Sequence, residues 1–88
     1  MKQISLKIIV EIQRLTIEKF EAEDEDYPDY RIVKAKERAI WNRLSKITTN
    51  ENLQCKILDI IEKGNWDTKD LTYKSMCDKI RELGFKIV

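Results

Sequence analysis

Side chains suited to acid–base, nucleophilic or metal chemistry are scarce in this sequence of 88 residues. Histidine is absent, so the usual general base at neutral pH and the commonest nitrogen ligand for metals are both missing. Glycine occurs only as Gly64 and Gly84, too few for a glycine-rich loop around a phosphate. We therefore predict no catalytic residues, metal site or cofactor and no enzymatic activity. An enzyme that uses carboxylates alone is the remaining catalytic interpretation.

The two cysteines, Cys55 and Cys77, are the only candidate thiol ligands or nucleophiles. A closed zinc site needs about four Cys or His ligands, and a disulfide-stabilised secreted domain needs a larger set of cysteines. Each thiol lies within an apolar helical pattern, which predicts reduced core residues. Because no apolar segment is long enough to cross a bilayer or to act as a signal peptide, we expect a cytoplasmic protein without membrane contact.

A run of carboxylates over residues 21–29 also contains the only proline and is bordered by aromatic residues. The run lacks the ligand spacing and the central glycine of an EF-hand loop, so a calcium site is not predicted. Residues 23–30 are expected to form an exposed acidic loop. Tyr27, Asp29 and Tyr30 are candidate contacts for a partner protein, because a rigid segment that combines aromatic rings with charge suits such an interface.

Cations dominate residues 31–46, although the net charge of the whole chain is only +1. Six of them, opposed only by Glu37, recur at helical spacing: Arg31, Lys34, Lys36, Arg38, Arg43 and Lys46. Arg31, Lys34 and Arg38 share one side of a helix, with Trp41 a turn further on. Such a stripe can hold phosphates and stack a base, so nucleic-acid binding is an alternative. Cations beside a buried face more often remain in solvent while their aliphatic stems cover apolar surface. We assign Arg31, Lys34, Arg38 and Trp41 to a protein-binding surface.

A helix-turn-helix motif is an alternative interpretation of residues 50–83, with 67–83 as the helix that enters the major groove. Asp67 and Asp70 lie early in that helix and would meet phosphates with the wrong charge. Asp70 also falls where the motif needs an apolar residue. The sequence therefore does not favour this motif.

The first predicted helix spans residues 3–22. Lys7, Glu11, Arg14, Glu18 and Glu21 recur every three or four residues and so form one charged stripe. The apolar residues lie off that stripe and occupy the remaining ~280° of the circumference. This helix must therefore be covered on most of its sides.

Two further helices are predicted over residues 30–47 and 50–63. Asp29 is the expected N-cap of the first of these. Thr48 and Glu51 form a capping-box pattern at the start of the other, which Gly64 would end in a left-handed conformation.

The last helix is predicted over residues 67–83. Asp67 is its expected N-cap, with Trp66 and Leu71 in contact across it. Gly84 would end the helix and let Phe85 pack back on Ile80, leaving residues 86–88 as a short tail.

The chain as a whole, residues 1–88, is predicted to be a single all-α domain with a four-helix, bundle-like architecture, because the connections are short and no repeat is present. An α+β alternative would pair residues 3–13 with 85–88 as strands, since apolar and polar residues alternate over 4–12. Ile9 interrupts that alternation. The charged stripe favours the helix.

The first helix also leads to a prediction about assembly. A helix that must bury ~280° of its surface, with only three other helices available, exposes apolar side chains unless another chain covers them. We predict a homodimer in which Leu6, Val10 and Ile17 meet their counterparts. The expected function is that of a small non-catalytic regulatory or inhibitory protein that acts through protein–protein interaction, of the kind that a phage or plasmid encodes.

Overall fold

The computed structural model describes the backbone of residues 2–66 and 73–88, with side chains for 3–63 and 75–88. Most of these residues lie in four helices: α1 (Leu6–Glu23), α2 (Tyr30–Ile47), α3 (Glu51–Trp66) and α4 (Tyr73–Glu82). Two short strands flank them: β1 (Lys2–Ile4) and β2 (Phe85–Ile87). The prediction of an all-α, bundle-like domain fold is confirmed.

The two ends of the chain differ from the prediction. Residues 2–4 form β1 instead of the first turn of a helix, and they pair in parallel with β2, with Ile4 opposite Ile87. Residues 86 and 87 of the predicted tail therefore belong to a strand. Ile4 is buried in the core, and the Val88 N–H donates to its carbonyl at 2.9 Å. The α+β alternative identified this pairing but extended it to residue 13, whereas α1 already begins at Leu6.

Ser5 marks the boundary between strand and helix. Its backbone is extended, and its side-chain oxygen accepts a hydrogen bond from the Lys7 N–H at 3.2 Å. Side chains of this type satisfy one of the N–H groups that the first turn of a helix leaves unpaired. The sequence reasoning missed this N-cap because the apolar pattern continues through it.

One face of each helix, together with Ile4 and Phe85, builds the core. Its buried members are mostly isoleucine: Ile4, Ile9, Ile12, Ile40, Leu44, Ile47, Ile57, Ile61, Met76, Ile80 and Phe85. Branched side chains of similar size fill such a core in few rotamers. Phe85 lies in the same cluster as Ile80, as predicted, and Gly84 between them has a φ of 99°. That backbone conformation favours glycine.

Helices α1 and α2 are antiparallel and form the most extensive helix pair among the described residues. Ion pairs join them along their length: Glu18 with Lys36 at 2.6 Å, Lys19 with Glu37 at 3.3 Å and Glu11 with Arg43 at 3.5 Å. Glu11, in the first half of α1, pairs with the second half of α2, whereas Glu18 and Lys19 pair with its first half, as expected for antiparallel helices. This arrangement fixes which side of each helix faces the other.

The predicted N-cap of α2 is confirmed. Asp29 has an extended backbone, and its Oδ1 accepts from the Arg31 N–H at 3.0 Å. A carboxylate at this position also interacts favourably with the positive end of the helix dipole. The acidic loop therefore has a structural role at its last residue.

The predicted capping box at α3 is wrong. Asn50, not Thr48, caps the helix: its side-chain oxygen accepts from the Leu53 N–H at 3.2 Å. Thr48 is the buried C-cap of α2, and its carbonyl accepts from the side-chain amide of Gln54 at 2.6 Å. The Thr48 to Glu51 spacing matched the motif, but Thr48 is already used at the end of the preceding helix.

The far end of α3 also differs from the prediction. The helix continues through Gly64 to Trp66, so Gly64 is not a C-terminal cap. Helical hydrogen bonding tolerates an internal glycine at a cost of about 1 kcal/mol. The predicted Asp67 cap and its flanking contact between Trp66 and Leu71 lie outside the described residues.

Candidate protein-interaction surfaces

An apolar stripe on α1 is exposed to solvent. It consists of Leu6, Val10, Ile17 and Phe20, which are 43%, 38%, 42% and 37% exposed; we call it the α1 stripe. At 100° per residue these four lie within about 80° of one another. The three residues predicted for a dimer interface thus lie together and are each partly exposed. Phe20, which was not among those three, lies about 60° from Ile17 on the helical wheel.

The α1 stripe is exposed because the rest of α1 is used inside the chain. The residues that pair with α2 point to roughly the opposite side of the helix. Ile9, Ile12 and Thr16 are buried between these two sides. Within the described residues, α1 thus leaves part of its apolar circumference exposed.

An open groove of about 680 Å³ runs along the charged edge of the α1 stripe. Its walls include Leu6, Val10, Lys7, Arg14 and Arg43. The Arg43 Nε is buried 3.5 Å from the Glu11 carboxylate, and no hydrogen-bond partner for it occurs among the described residues. Since 3.5 Å is too long for a strong hydrogen bond, the contact is mainly electrostatic. The groove therefore combines apolar residues with charges of both signs.

The outward side of α2 carries the other exposed surface. Its members lie within about 100° on a helical wheel, and we call them the α2 outer face: Tyr30, Arg31, Lys34, Arg38 and Trp41. Tyr30 is 67% exposed and Trp41 38%. Tyr27, in the preceding loop, is 93% exposed. The predicted partner-binding residues thus lie on one helix and the loop that leads into it.

The cations of α2 fall into two sets. Lys36 and Arg43 pair with α1, as described above, while Arg31 pairs with Asp29 at 3.4 Å. Lys34, Arg38 and Lys46 are exposed, and none of them forms an ion pair with any described side chain. The sequence did not separate these sets, because which flank faces α1 depends on the tertiary structure.

The loop between α1 and α2 places negative charge beside the start of the α2 outer face. Asp24, Glu25 and Asp26 are exposed, and Asp29 is half-buried at the N-cap. The loop and the outer face are therefore neighbouring surfaces of opposite sign.

The two thiols have different environments. Cys77 is buried, as predicted, whereas Cys55 is exposed, so the prediction of a core role for Cys55 is wrong. Over residues 3–63 and 75–88, no group of three or more His, Cys, Asp or Glu side chains is placed to hold a metal ion. Among the helices that the structure describes, none is both long and apolar enough to span a bilayer.

Comparison of the chain with protein-family models, curated proteins and solved structures found no significant match.

Proposed function

We propose that this protein is a small, non-catalytic regulatory or inhibitory protein that binds another protein through the α2 outer face and Tyr27, and that it acts as a homodimer. The supporting observation is the exposure of Tyr27, Tyr30 and Trp41 beside two cations, Lys34 and Arg38, that have no described ion-pair partner. Tyrosine, tryptophan and arginine supply much of the binding energy at protein interfaces. A non-catalytic protein of this kind regulates or inhibits its partner by covering part of the partner's surface.

The charge distribution favours a protein partner over a nucleic acid. The acidic residues Asp24, Glu25 and Asp26 lie at the same end of α2 as Arg31, whose charge is already paired with Asp29. Phosphates near this end would meet repulsion, whereas a protein can present basic groups to the loop and acidic groups to Lys34 and Arg38. Nucleic-acid binding through Arg31, Lys34, Arg38 and Trp41 is the alternative function.

The homodimer in this proposal uses the α1 stripe, which shares no residue with the α2 outer face. Sharing the stripe between two copies would remove exposed apolar surface that the described part of the chain leaves open. A dimer also presents two α2 outer faces, which raises the avidity for a partner with repeated sites. The small size and the paucity of catalytic side chains are consistent with a cytoplasmic product of a phage or plasmid.

Photo-crosslinking tests the partner surface directly. A photoreactive phenylalanine analogue replaces Tyr27, Tyr30 or Trp41 in turn, and the same analogue at Lys56, which is exposed on α3, is the matched control. After irradiation in the cells that produce the protein, we expect a discrete adduct from the three aromatic positions, at least threefold above Lys56. The adduct should resist nuclease and contain a second polypeptide by mass spectrometry.

Two other outcomes would reject the proposal. Adducts that disappear on nuclease treatment would favour the nucleic-acid alternative, and a gel shift that weakens steeply between low and moderate salt and is lost in Arg38→Glu would establish it. Adduct yields at Tyr27, Tyr30 and Trp41 no higher than at Lys56 would remove this surface from consideration.

A further inference from the structure

Together with Gln13, the residues of the α1 stripe have the spacing of a helix-pairing seam. Leu6, Val10, Gln13, Ile17 and Phe20 follow one another at intervals of four, three, four and three residues. This interval keeps side chains in line along a pair of helices that wind around each other. Gln13, at the centre, is half-buried and polar. A single polar residue within such a seam selects one alignment of the two helices at some cost in stability.

Charged residues follow the seam on one edge at intervals of seven. Lys7, Arg14 and Glu21 are exposed, and none of them forms an ion pair with a described side chain. Their order along the helix is positive, positive and negative. The other edge of the seam consists of Ile9 and Thr16, which are buried within the same chain. A second helix can therefore form ion pairs along the first edge but not along the second.

We infer that the α1 stripe pairs with the α1 stripe of a second copy in the antiparallel direction, about a two-fold axis beside residues 13 and 14. This inference rests on the homodimer of the proposed function, but not on the external partner. In that alignment Val10 meets Ile17 of the second copy, and Lys7 meets its Glu21. Symmetry repeats each contact, so two apolar contacts and two ion pairs form.

The parallel alignment does not satisfy these charges. In a parallel pair, each charged edge faces the opposite edge of the other helix. There Lys7 and Arg14 would lie beside Ile9 and Thr16, which carry no charge and are already covered by their own chain. In the antiparallel pair the charged edges face each other, and Arg14 lies beside the Gln13 amide of the second copy, which can accept its hydrogen bonds.

In each copy, the groove beside the α1 stripe can receive a charged side chain of the other copy. Its charged lining consists of three cations, Lys7, Arg14 and Arg43, and two carboxylates, Glu11 and Glu18, which already pair with α2. The antiparallel alignment brings Glu21 of the second copy to the Lys7 end of this groove. An interface limited to one helix from each copy is smaller than the ~800 Å² per partner of a standard interface, so a dissociation constant in the micromolar range is expected.

Charge reversal across the proposed pair tests the alignment. Sedimentation velocity over ~1–500 μM should show a reversible monomer–dimer equilibrium. Lys7→Glu and Glu21→Lys should each weaken dimerisation at least ~10-fold, because each replaces two attractions by two repulsions. The double variant restores opposite charges, and its dissociation constant should return to within ~3-fold of the original. Glu25→Lys in the acidic loop is the control and should leave dimerisation unchanged.

Oxidative cross-linking provides an independent readout of direction. In a Cys55→Ser background, which removes the exposed thiol, Gln13→Cys should give a disulfide-linked dimer because both copies lie beside the axis. Leu6→Cys should not, since in the antiparallel pair the two positions lie about 22 Å apart at 1.5 Å rise per residue. Circular dichroism checks that each variant keeps its helical content.

The possible failures are distinguishable. A protein that is monomeric at all concentrations would overturn this inference and the homodimer, but not the binding of a partner through the α2 outer face. A dimer that the double charge variant does not restore, or that cross-links equally through Leu6→Cys and Gln13→Cys, would overturn the antiparallel alignment and leave the homodimer in place.

Discussion

The α1 stripe and the α2 outer face are both exposed, yet their charges are arranged differently. Along the edge of the α1 stripe the sign changes from Lys7 to Glu21, so that a two-fold axis brings opposite charges together. The α2 outer face carries Lys34 and Arg38 with no acidic residue among its members. A surface with one sign of charge repels a copy of itself.

This difference indicates different occupants for the two surfaces. A two-fold interface must be complementary to itself, which an apolar seam with a charge reversal satisfies. In the proposed function, the α2 outer face instead binds a partner that presents acidic groups and a surface that accepts aromatic rings. Changing one surface, or its support, at a time tests this division.

The largest expected effect is on the free energy of unfolding, which a substitution on the buried side of α1 should lower more than one in its exposed stripe. Ile12→Ala removes a fully buried side chain from the core and should lower the free energy of unfolding by about 2–5 kcal/mol. Ile17→Ala, the same change on an exposed position of the same helix, should cost less than about 1.5 kcal/mol, because less apolar area is lost. Urea unfolding at a protein concentration low enough to favour monomers measures both. Equal losses would mean that the α1 stripe is covered within the chain.

A reciprocal pair of variants tests whether the two surfaces are independent. Ile17→Glu should raise the dimer dissociation constant at least ~10-fold, about 1.4 kcal/mol, while adduct formation at Tyr30 persists. Arg38→Glu should reduce adduct formation at Tyr30 and leave dimerisation unchanged. Sedimentation velocity and photo-crosslinking are measured on the same preparations. Loss of both properties in either variant would show that the surfaces do not act separately.

The N-caps provide a smaller contrast between the two helices. Asp29→Ala should destabilise the fold by about 1 kcal/mol, since it removes both a hydrogen bond to the first turn of α2 and a charge at the helix N-terminus. Ser5→Ala removes only an uncharged acceptor at α1 and should cost roughly half as much. Urea unfolding provides the measurement. Asp26→Ala is the loop control, and a comparable loss there would argue against the capping explanation.

The ion pairs between α1 and α2 should have the smallest effect. Glu18→Gln removes the negative charge from the 2.6 Å contact with Lys36 and should cost only about 0.2–1 kcal/mol, because both side chains are partly solvated. A double-mutant cycle with Lys36→Met isolates the pair, with Glu25→Gln as the control for loss of a carboxylate. A coupling energy above ~2 kcal/mol would contradict this assignment of a minor energetic role.

The centres of the helices were predictable because they depend on local periodicity. Val33, Ile40 and Leu44 repeat at helical spacing, and all three are buried in α2. Asp29 was also predictable, since the residues that it caps follow it directly. The local sequence contains nearly all the information needed for such features.

Two errors occur where a distant segment changes the outcome. Residues 2–4 become a strand because β2, at the other end of the chain, provides their hydrogen bonds. Asn50 rather than Thr48 caps α3 because Thr48 is already buried at the end of α2. Neither of these two effects follows from the spacing of nearby residues. Cys55 is a different kind of error: at 100° per residue it lies opposite the face of α3 that Leu53, Ile57 and Ile60 form, so local spacing already indicated its exposure.

By itself, the sequence determined that helices dominate this protein and that α1 has more apolar circumference than a small bundle readily covers. Periodicity and composition are local properties, and they suffice for both conclusions. Only the tertiary structure decided which part of that circumference remains exposed. Packing α2 on one side of α1 and the core on the next leaves Leu6, Val10, Ile17 and Phe20 partly exposed. It also pairs Lys36 and Arg43 with residues of α1, while Lys34 and Arg38 form no ion pair with a described side chain.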